Sequence, residues 1–113
     1  MESIVKWPFG DASVTPLTAS GAQAVTVQNE LTIIDGVSVQ ATAARTINLT
    51  VEDSVGVGAI MLVKSKTAAT EATNFGTGMQ GKALTGVAGK TKTAMFIYDG
   101  SNFVEAGSDV QID

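Results

Sequence analysis

Apolar and polar residues alternate along much of the chain with a period of two, which is the pattern of β-strands that bury one face. The clearest run is Thr46–Val51, in which large apolar side chains occupy every second position. We predict that Ile47, Leu49 and Val51 point into the core and that the residues between them face outward. No stretch of helix length has apolar residues at a spacing of 3.6. The pattern therefore predicts an all-β protein.

The C-terminal third carries the strongest hairpin signal. Alternating residues begin at Thr91, stop at Asp99-Gly100 and resume at Phe103. Asp-Gly between β-forming residues predicts a hairpin, because glycine readily adopts the positive φ that such turns require. The alternation does not decide whether the apolar residues of this hairpin enter the core or contact another subunit. The four candidates for these two roles are Met95, Ile97, Phe103 and Val104.

Turn residues at intervals of about ten residues divide the rest of the chain into short strands. Asp35-Gly36 is expected to end a strand that starts at Leu31, and the polar segment Lys64–Ala72 is expected to be a loop. Gly58–Val63 is almost continuously apolar, as in a strand covered on both faces at a sandwich centre or a subunit interface. This arrangement favours an antiparallel β-sandwich or a jelly-roll-like module.

Residues 1–23 are assigned to an N-terminal arm or attachment segment, and residues 24–113 to a β-rich oligomerisation domain. The segment Asp11–Ala24 is rich in small residues, Ser and Thr, which is typical of an irregular or extended connector. Before it, Trp7 and Phe9 stand close together. They belong either to a first strand packed on the sandwich or to an arm that anchors on a partner, and the residues alone leave both alternatives open.

The composition indicates a single domain whose apolar side chains are small. Of 113 residues, 44% are hydrophobic but only 5% are aromatic, so each buried residue removes little apolar surface from water. An intersubunit core would supply additional burial.

The net charge of −4 disfavours nucleic-acid binding, which needs a basic face. The chain shows neither a signal peptide nor an apolar run of bilayer-spanning length, so we expect a soluble protein without a membrane partner.

The chain contains neither cysteine nor histidine. Their absence excludes thiolate nucleophiles, Cys/His zinc sites, disulfides and the most common general base near neutral pH. Glu52 and Asp53 are adjacent carboxylates and would point to opposite sides of a strand, so they would not converge on a substrate. A solvated turn explains the pair. We therefore expect no enzyme activity, no catalytic residues, no metal and no cofactor.

Two glycine-rich stretches resemble nucleotide-binding motifs but lack their structural context. Gly76–Gly81 matches G-x-G-x-x-G, and Gly89-Lys90-Thr91 resembles the end of a P-loop. Both motifs hold phosphate at the N-terminus of a helix that follows a strand, and neither stretch leads into a helical pattern. The glycines of the first stretch indicate bulges, bends or close backbone approach. A glycine-hinged turn that leads into the hairpin explains the second stretch.

Positive charge is concentrated in the second half of the chain. Lys64 and Lys66 fall on one face if this region is extended, because they are two residues apart. Such lysines either protect an exposed strand edge from pairing or contact an acidic partner surface, and both interpretations remain open.

Four segments in the last two-thirds of the chain carry a family resemblance: INLTVEDS at residues 47–54, GAIMLVKSKTAATEATNFGTG at 58–78, TGVAGKTKTAMFIYDGSNFVEAG at 85–107 and VQID at 110–113. They resemble small β-rich virion proteins of tailed bacteriophages, of the head fibre or head decoration type. The resemblance implies a homotrimer that is made in the host cytoplasm and attached to the capsid surface of the virion.

The same resemblance implies different functions for the N-terminal segment and for the β-rich domain. The N-terminal segment would bind the major capsid protein or another virion protein, with Trp7 and Phe9 as anchors, and residues 24–113 would form the trimer. A compact decoration knob fits this short chain better than a long head fibre.

A carbohydrate-binding or adhesive β-sandwich module is the alternative function. Its ligand would be a host surface glycan, and it requires a concave face with exposed aromatic and amide side chains. The candidates for such a face are Trp7, Tyr98, Asn102 and Phe103.

Overall fold

The computed structural model describes residues 12–113, which form ten β-strands and no helix. The strands are Ala12–Pro16 (β1), Gly21–Val27 (β2), Leu31–Ala41 (β3), Arg45–Val51 (β4), Ile60–Thr67 (β5), Ala72–Phe75 (β6), Met79–Gln80 (β7), Leu84–Thr85 (β8), Thr91–Tyr98 (β9) and Phe103–Gln111 (β10). The predicted all-β class is confirmed.

The strands form two sheets that share one core, as expected of a sandwich. The larger sheet has the order β1-β3-β5-β9-β10-β7, and the smaller sheet has the order β2-β4-β6-β8. Side chains from the inner faces of both sheets make up the core, with Phe96 and Phe103 as fully buried aromatic residues. In β4 the predicted alternation is confirmed, because Ile47 and Leu49 are buried and Thr50 is exposed.

The first six strands alternate between the two sheets, so the chain winds as a parallel coil of three turns: β1–β2, β3–β4 and β5–β6. Among residues 12–113, the pairs β1–β3, β3–β5, β2–β4, β4–β6 and β7–β10 are parallel. The pairs β5–β9, β9–β10 and β6–β8 are antiparallel. The expectation of antiparallel strands therefore holds only toward the C-terminus. In the coil, short connections such as residues 28–30 join a strand of one sheet to a strand of the other sheet. They do not form hairpins between neighbouring strands of the same sheet.

The Asp35-Gly36 pair lies inside β3, so the prediction that it ends a strand is wrong. The Asp35 carboxylate accepts hydrogen bonds from the backbone N–H two residues on, at 2.9 Å, and from the hydroxyl of Ser38, at 2.6 Å. A Cβ atom at Gly36 would lie 2.6 Å from both a guanidinium nitrogen of Arg45 and the backbone oxygen of Lys64. The glycine therefore permits close approach of its neighbours rather than reversal of the chain.

Arg45 fills the space between successive turns of the coil and is only 2% exposed. Its guanidinium donates hydrogen bonds to five oxygen atoms that come from all three turns. The acceptors are the backbone carbonyls of Gly36 (2.7 Å), Val39 (2.8 Å), Lys66 (3.1 Å) and Thr18 (3.2 Å) and the hydroxyl of Ser65 (2.9 Å). Burial lowers the pKa of Arg45, against the opposing influence of nearby carboxylates. The hydrogen bonds compensate this buried charge.

The predicted C-terminal hairpin is confirmed as β9 and β10. The carboxylate of Asp99 accepts hydrogen bonds from the backbone N–H groups of Ser101 and Asn102, each at 2.8 Å. These bonds, that of Asn102 first, lower the pKa of Asp99. Gly100 has a φ of +100°, as the Asp-Gly turn signal requires.

Two of the predicted boundaries differ from the structure. Residues 12–23, assigned to the arm, contain β1 and the start of β2, which pair with β3 and β4. Their small side chains produce only a weak alternation, which explains the difference. Residues 1–11, including Trp7 and Phe9, lie outside the described part of the chain. The predicted loop Lys64–Ala72 begins as the second half of β5, where the buried hydroxyls of Ser65 and Thr67 face inward.

Candidate assembly surface

The outer face of the six-stranded sheet is apolar, although the core lies on its other side. Two rows of residues cross β1, β3, β5, β9 and β10 on this outer face. The first row consists of Ala12, Leu31, Ile60, Ile97 and Val104. The second row consists of Val14, Ile33, Leu62, Met95 and Gly107. We call the two rows together the outer apolar face.

Strand alternation explains why these side chains point away from the core. In β9, Ala94 and Phe96 are buried, whereas Met95 and Ile97 are 39% and 40% exposed. Val14, on the edge strand β1, is 62% exposed. The other large residues of the two rows are half-buried. Both sheets turn their inner faces to the shared core, and no strand among residues 12–113 covers the outer apolar face.

The row next to the second row of the outer apolar face has polar residues on its three central strands and Pro16 and Val110 at its ends. Asp35 in β3, Lys64 in β5 and Thr93 in β9 are register partners in this row. The hydroxyl of Ser38 lowers the pKa of Asp35 most strongly, and the charge of Lys64 contributes to the same shift. Lys66 lies further along the same face of β5 and, like Lys64, is half-buried. Both signs of charge therefore lie close together on this border.

The loops at the opposite end of the sheet, beyond the first row, have a different charge. Residues 28–30, 52–59 and 99–102 contain acidic side chains and no basic ones. One of these acids, Glu30, accepts a hydrogen bond from the backbone N–H of Gly56 at 2.9 Å and so joins two of the loops. The two ends of the outer apolar face are therefore electrostatically distinct.

The structure divides the four hairpin candidates between the two roles that the sequence left open. Phe103 is fully buried and belongs to the core. Met95 and Ile97 lie on the outer apolar face, and Val104 is half-buried beside Ile97 in the first row. The hairpin therefore contributes to both the core and the outer surface.

The aromatic side chains proposed for glycan binding do not form an exposed platform in the described residues. Phe103 is fully buried, and the ring of Tyr98 stacks on it with 5.0 Å between ring centroids. The hydroxyl of Tyr98 donates a hydrogen bond to the backbone oxygen of Gly100 at 3.1 Å. The third aromatic candidate, Trp7, lies outside the described residues.

The two glycine-rich stretches that resemble nucleotide-binding motifs form turns and short strands. Gly78 and Gly89 have φ values of +79° and +70°, and neither glycine precedes a helix. Residues 12–113 contain no pocket and no group of three or more acidic side chains placed to hold a metal ion. The same residues include no helix long and apolar enough to cross a membrane.

Comparison with known proteins leaves the family open. The chain matches no protein-family model, no curated protein sequence and no solved structure. The outer apolar face is accordingly the feature from which a function can be inferred.

Sequence reasoning identified the hairpin part of this face but missed its continuation on β1 and β3. Val14 lies in the segment that was assigned to a connector, and Ile33 lies in a strand with apolar residues at both odd and even positions. The adjacent apolar residues Ile33 and Ile34 are the available signal, because a strand with only one buried face would alternate. That the strand in Gly58–Val63 is covered on both faces stays a prediction: Met61 is buried in the core, and Leu62 lies half-buried on the outer face.

Proposed function

We propose that the protein is a structural component of a bacteriophage virion, of the capsid decoration or head fibre type. It assembles as a homotrimer through its β domain and binds the capsid surface through the N-terminal segment that contains Trp7 and Phe9. Its partners are copies of itself and the major capsid protein or another virion protein. Its mode of action is binding rather than catalysis.

The outer apolar face is the observation that carries this proposal. Burial of apolar surface is favourable by about 25 cal/mol for each Å² removed from water. Contiguous apolar patches on soluble proteins mark sites of interaction, whereas single exposed apolar residues need no explanation. Here the apolar side chains form two continuous rows on hydrogen-bonded strands. A module that works by assembly would bury them, and a monomer would leave them in water.

The sequence resemblance supports the virion as the setting. The segments that resemble phage head proteins include most of β4, all of β5 and most of the hairpin of β9 and β10. Leu62, Met95 and Ile97 of the outer apolar face lie in these segments. The feature that favours assembly and the feature that favours a phage origin therefore overlap on β5, β9 and β10.

Capsid binding can be tested by co-sedimentation of the purified full chain with capsids, assembled without it, of the phage that encodes it. We expect the wild type to sediment with the capsids and a W7A/F9A variant to stay in solution. A Val57→Ala variant, which truncates an exposed side chain outside the N-terminal segment, is the control and should sediment like the wild type. Wild type that stays in solution, or a double variant that binds normally, would contradict the proposed attachment. Binding to a glycan array in place of capsids would favour the carbohydrate-binding alternative.

A further inference from the structure

We propose that the edge of β2 is the docking site for the N-terminal segment of the same chain. Residues 1–7 add to the small sheet as a strand parallel to β2, with Trp7 turned inward beside Val27. Phe9 then lies in the connection to β1, where the capsid can contact it. The inference goes beyond the proposed function, because it states how the segment is held on this chain and not what the segment binds.

Among the strands of residues 12–113, β2 is the edge strand with the least protection against pairing. The edge strands are β1 and β7 in the large sheet and β2 and β8 in the small one. β7 and β8 have two residues each, and β1 ends in a proline. β2 has seven residues with neither a charge, a proline nor a bulge. Shortness, prolines and charges are the usual means by which an edge avoids pairing, so β2 is suited to accept a further strand.

The path of the coil leads the N-terminal segment to this edge. Residues 28–30 run from Val27, the last residue of β2, to the start of β3. The start of β1 lies directly beside the start of β3, with Ala12 paired to Leu31. The connection between β4 and β5 follows the same route one turn later. A strand that enters β1 by this route therefore comes from beside Val27 and runs parallel to β2.

The chain that precedes β1 is long enough for a strand along the whole of β2. The connections before and after β2 have four and three residues. With four residues, 8–11, in the new connection, residues 1–7 remain for the strand, and β2 also has seven residues. The connection contains a proline, a glycine and an aspartate, which are typical of turns.

The four-residue connection also gives the register that suits the side chains. It pairs Trp7 with Val27, and register partners in neighbouring strands point to the same side of a sheet. Val27 is fully buried, so Trp7 and Val5 turn toward the core and Lys6 turns toward solvent. A three-residue connection would instead turn Lys6 inward beside Val25, which is 2% exposed, at the cost of burying its charge.

The single tryptophan of the chain reports on the docking directly. An indole in apolar surroundings emits at shorter wavelength than one in water, so the emission of the full chain should shift to longer wavelength on unfolding in urea. Val5→Lys places a charge at an inward position and should abolish this shift while the circular dichroism spectrum is kept. Ile4→Lys is the matched control and should keep the shift, because residue 4 pairs with Ala24, which is exposed.

The absence of cysteine from the chain permits a second test, which reads the register. Lys6 and Thr26 are partners on the outer side of the small sheet, so mild oxidation of Lys6→Cys/Thr26→Cys should give a disulfide within one chain. Lys6→Cys/Ala22→Cys is the matched control, because Ala22 is also exposed but lies about 13 Å further along β2. Cysteines that far apart cannot be bridged, since the Cα atoms of a disulfide lie within about 7 Å of each other.

Three results would overturn the inference. The first is equal emission shifts for Val5→Lys and Ile4→Lys. The second is a Lys6→Cys/Thr26→Cys variant that forms no internal disulfide, or forms it no better than the control. The third is a disulfide between two chains, which would place the segment on another copy.

Co-sedimentation with capsids measures the proposed attachment separately. A protein that forms the internal disulfide but stays in solution would support the docking and contradict the attachment. A protein that binds capsids without forming the internal disulfide would contradict the docking alone.

Discussion

The guanidinium of Arg45 donates a hydrogen bond to the backbone carbonyl of Gly36 at 2.7 Å, and the two residues lie in successive strands of the coil. The same guanidinium reaches carbonyl groups in the turns before and after. One buried side chain therefore joins all three turns and fixes their register. The parallel coil is the scaffold that sets β1, β3 and β5 side by side, and it thereby creates the outer apolar face.

Replacing Arg45 with Met should destabilise the protein strongly, because five oxygen atoms, two of them in fully buried hydrogen bonds, would lose their donor. We expect the free energy of unfolding to fall by about 3–5 kcal/mol. Urea unfolding at a fixed protein concentration measures this change. Lys90→Met, at an exposed position, is the control and should change stability by no more than about 0.5 kcal/mol. A loss of less than about 1 kcal/mol for Arg45→Met would show that the side chain does not hold the coil together.

Gly36→Ala should also be destabilising, by about 1–3 kcal/mol. The added Cβ would lie 2.6 Å from the backbone oxygen of Lys64, which cannot move without disturbing β5. Gly56→Ala is the matched control, because Gly56 lies outside the outer apolar face and a Cβ there would come no closer than 3.5 Å to its nearest neighbour, a carboxylate oxygen of Glu30. Thermal unfolding of the two variants under identical conditions makes the comparison. Equal melting temperatures would contradict the close approach of the chain at Gly36.

Stability should depend on pH through Asp35. Its hydrogen bonds with Ser38 and the backbone, with help from Lys64, hold its pKa below the ordinary value of 3.8. A carboxyl group whose pKa is lower in the folded state stabilises the protein above its unfolded pKa and loses that contribution as the pH falls through the folded pKa. Asp35→Asn should therefore lower the free energy of unfolding at pH 7, and the difference from wild type should shrink as the pH falls below 3.8.

Urea unfolding across this pH range checks the dependence on Asp35. Asp53→Asn, in an exposed turn, serves as the control. A difference between wild type and Asp35→Asn that stays constant from neutral to acidic pH would contradict the role of the ionised carboxylate.

The two faces of the hairpin should respond differently to truncation. Phe103→Ala removes a fully buried ring that stacks on Tyr98, and we expect a loss of about 3–5 kcal/mol in the free energy of unfolding. Val87→Ala, at an exposed turn, should be nearly neutral. Urea unfolding measures both changes. A Phe103→Ala variant as stable as Val87→Ala would mean that the core has been misplaced.

Local patterns predicted the elements better than they predicted how the elements pair. The alternation of Ile47 and Leu49 and the turn at Asp99-Gly100 determine their strands and their hairpin through interactions close in sequence. The parallel coil depends on whether each connection leads to the same sheet or to the other one, which local patterns do not determine. At Asp35-Gly36 the sequence predicts a turn wrongly, because a glycine needed for close packing cannot be told from a glycine needed for a turn.

The alternation of apolar and polar residues could predict neither the burial of Arg45 nor the position of the outer apolar face, for physical reasons. An arginine is normally exposed, and its burial here depends on carbonyl groups that only the folded coil brings together. In β9 the outward Met95 and Ile97 are as apolar as the inward Ala94 and Phe96. The pattern therefore defined the strand but left open which of its faces is the core.

The mass of the wild-type protein in solution tests the central claim most directly. Light scattering on the full chain, diluted to micromolar concentration at neutral pH, should give three times 11.5 kDa. This result is expected because the outer apolar face would be buried between three copies. A mass of 11.5 kDa at that concentration would show that the face stays in water, and it would contradict the account.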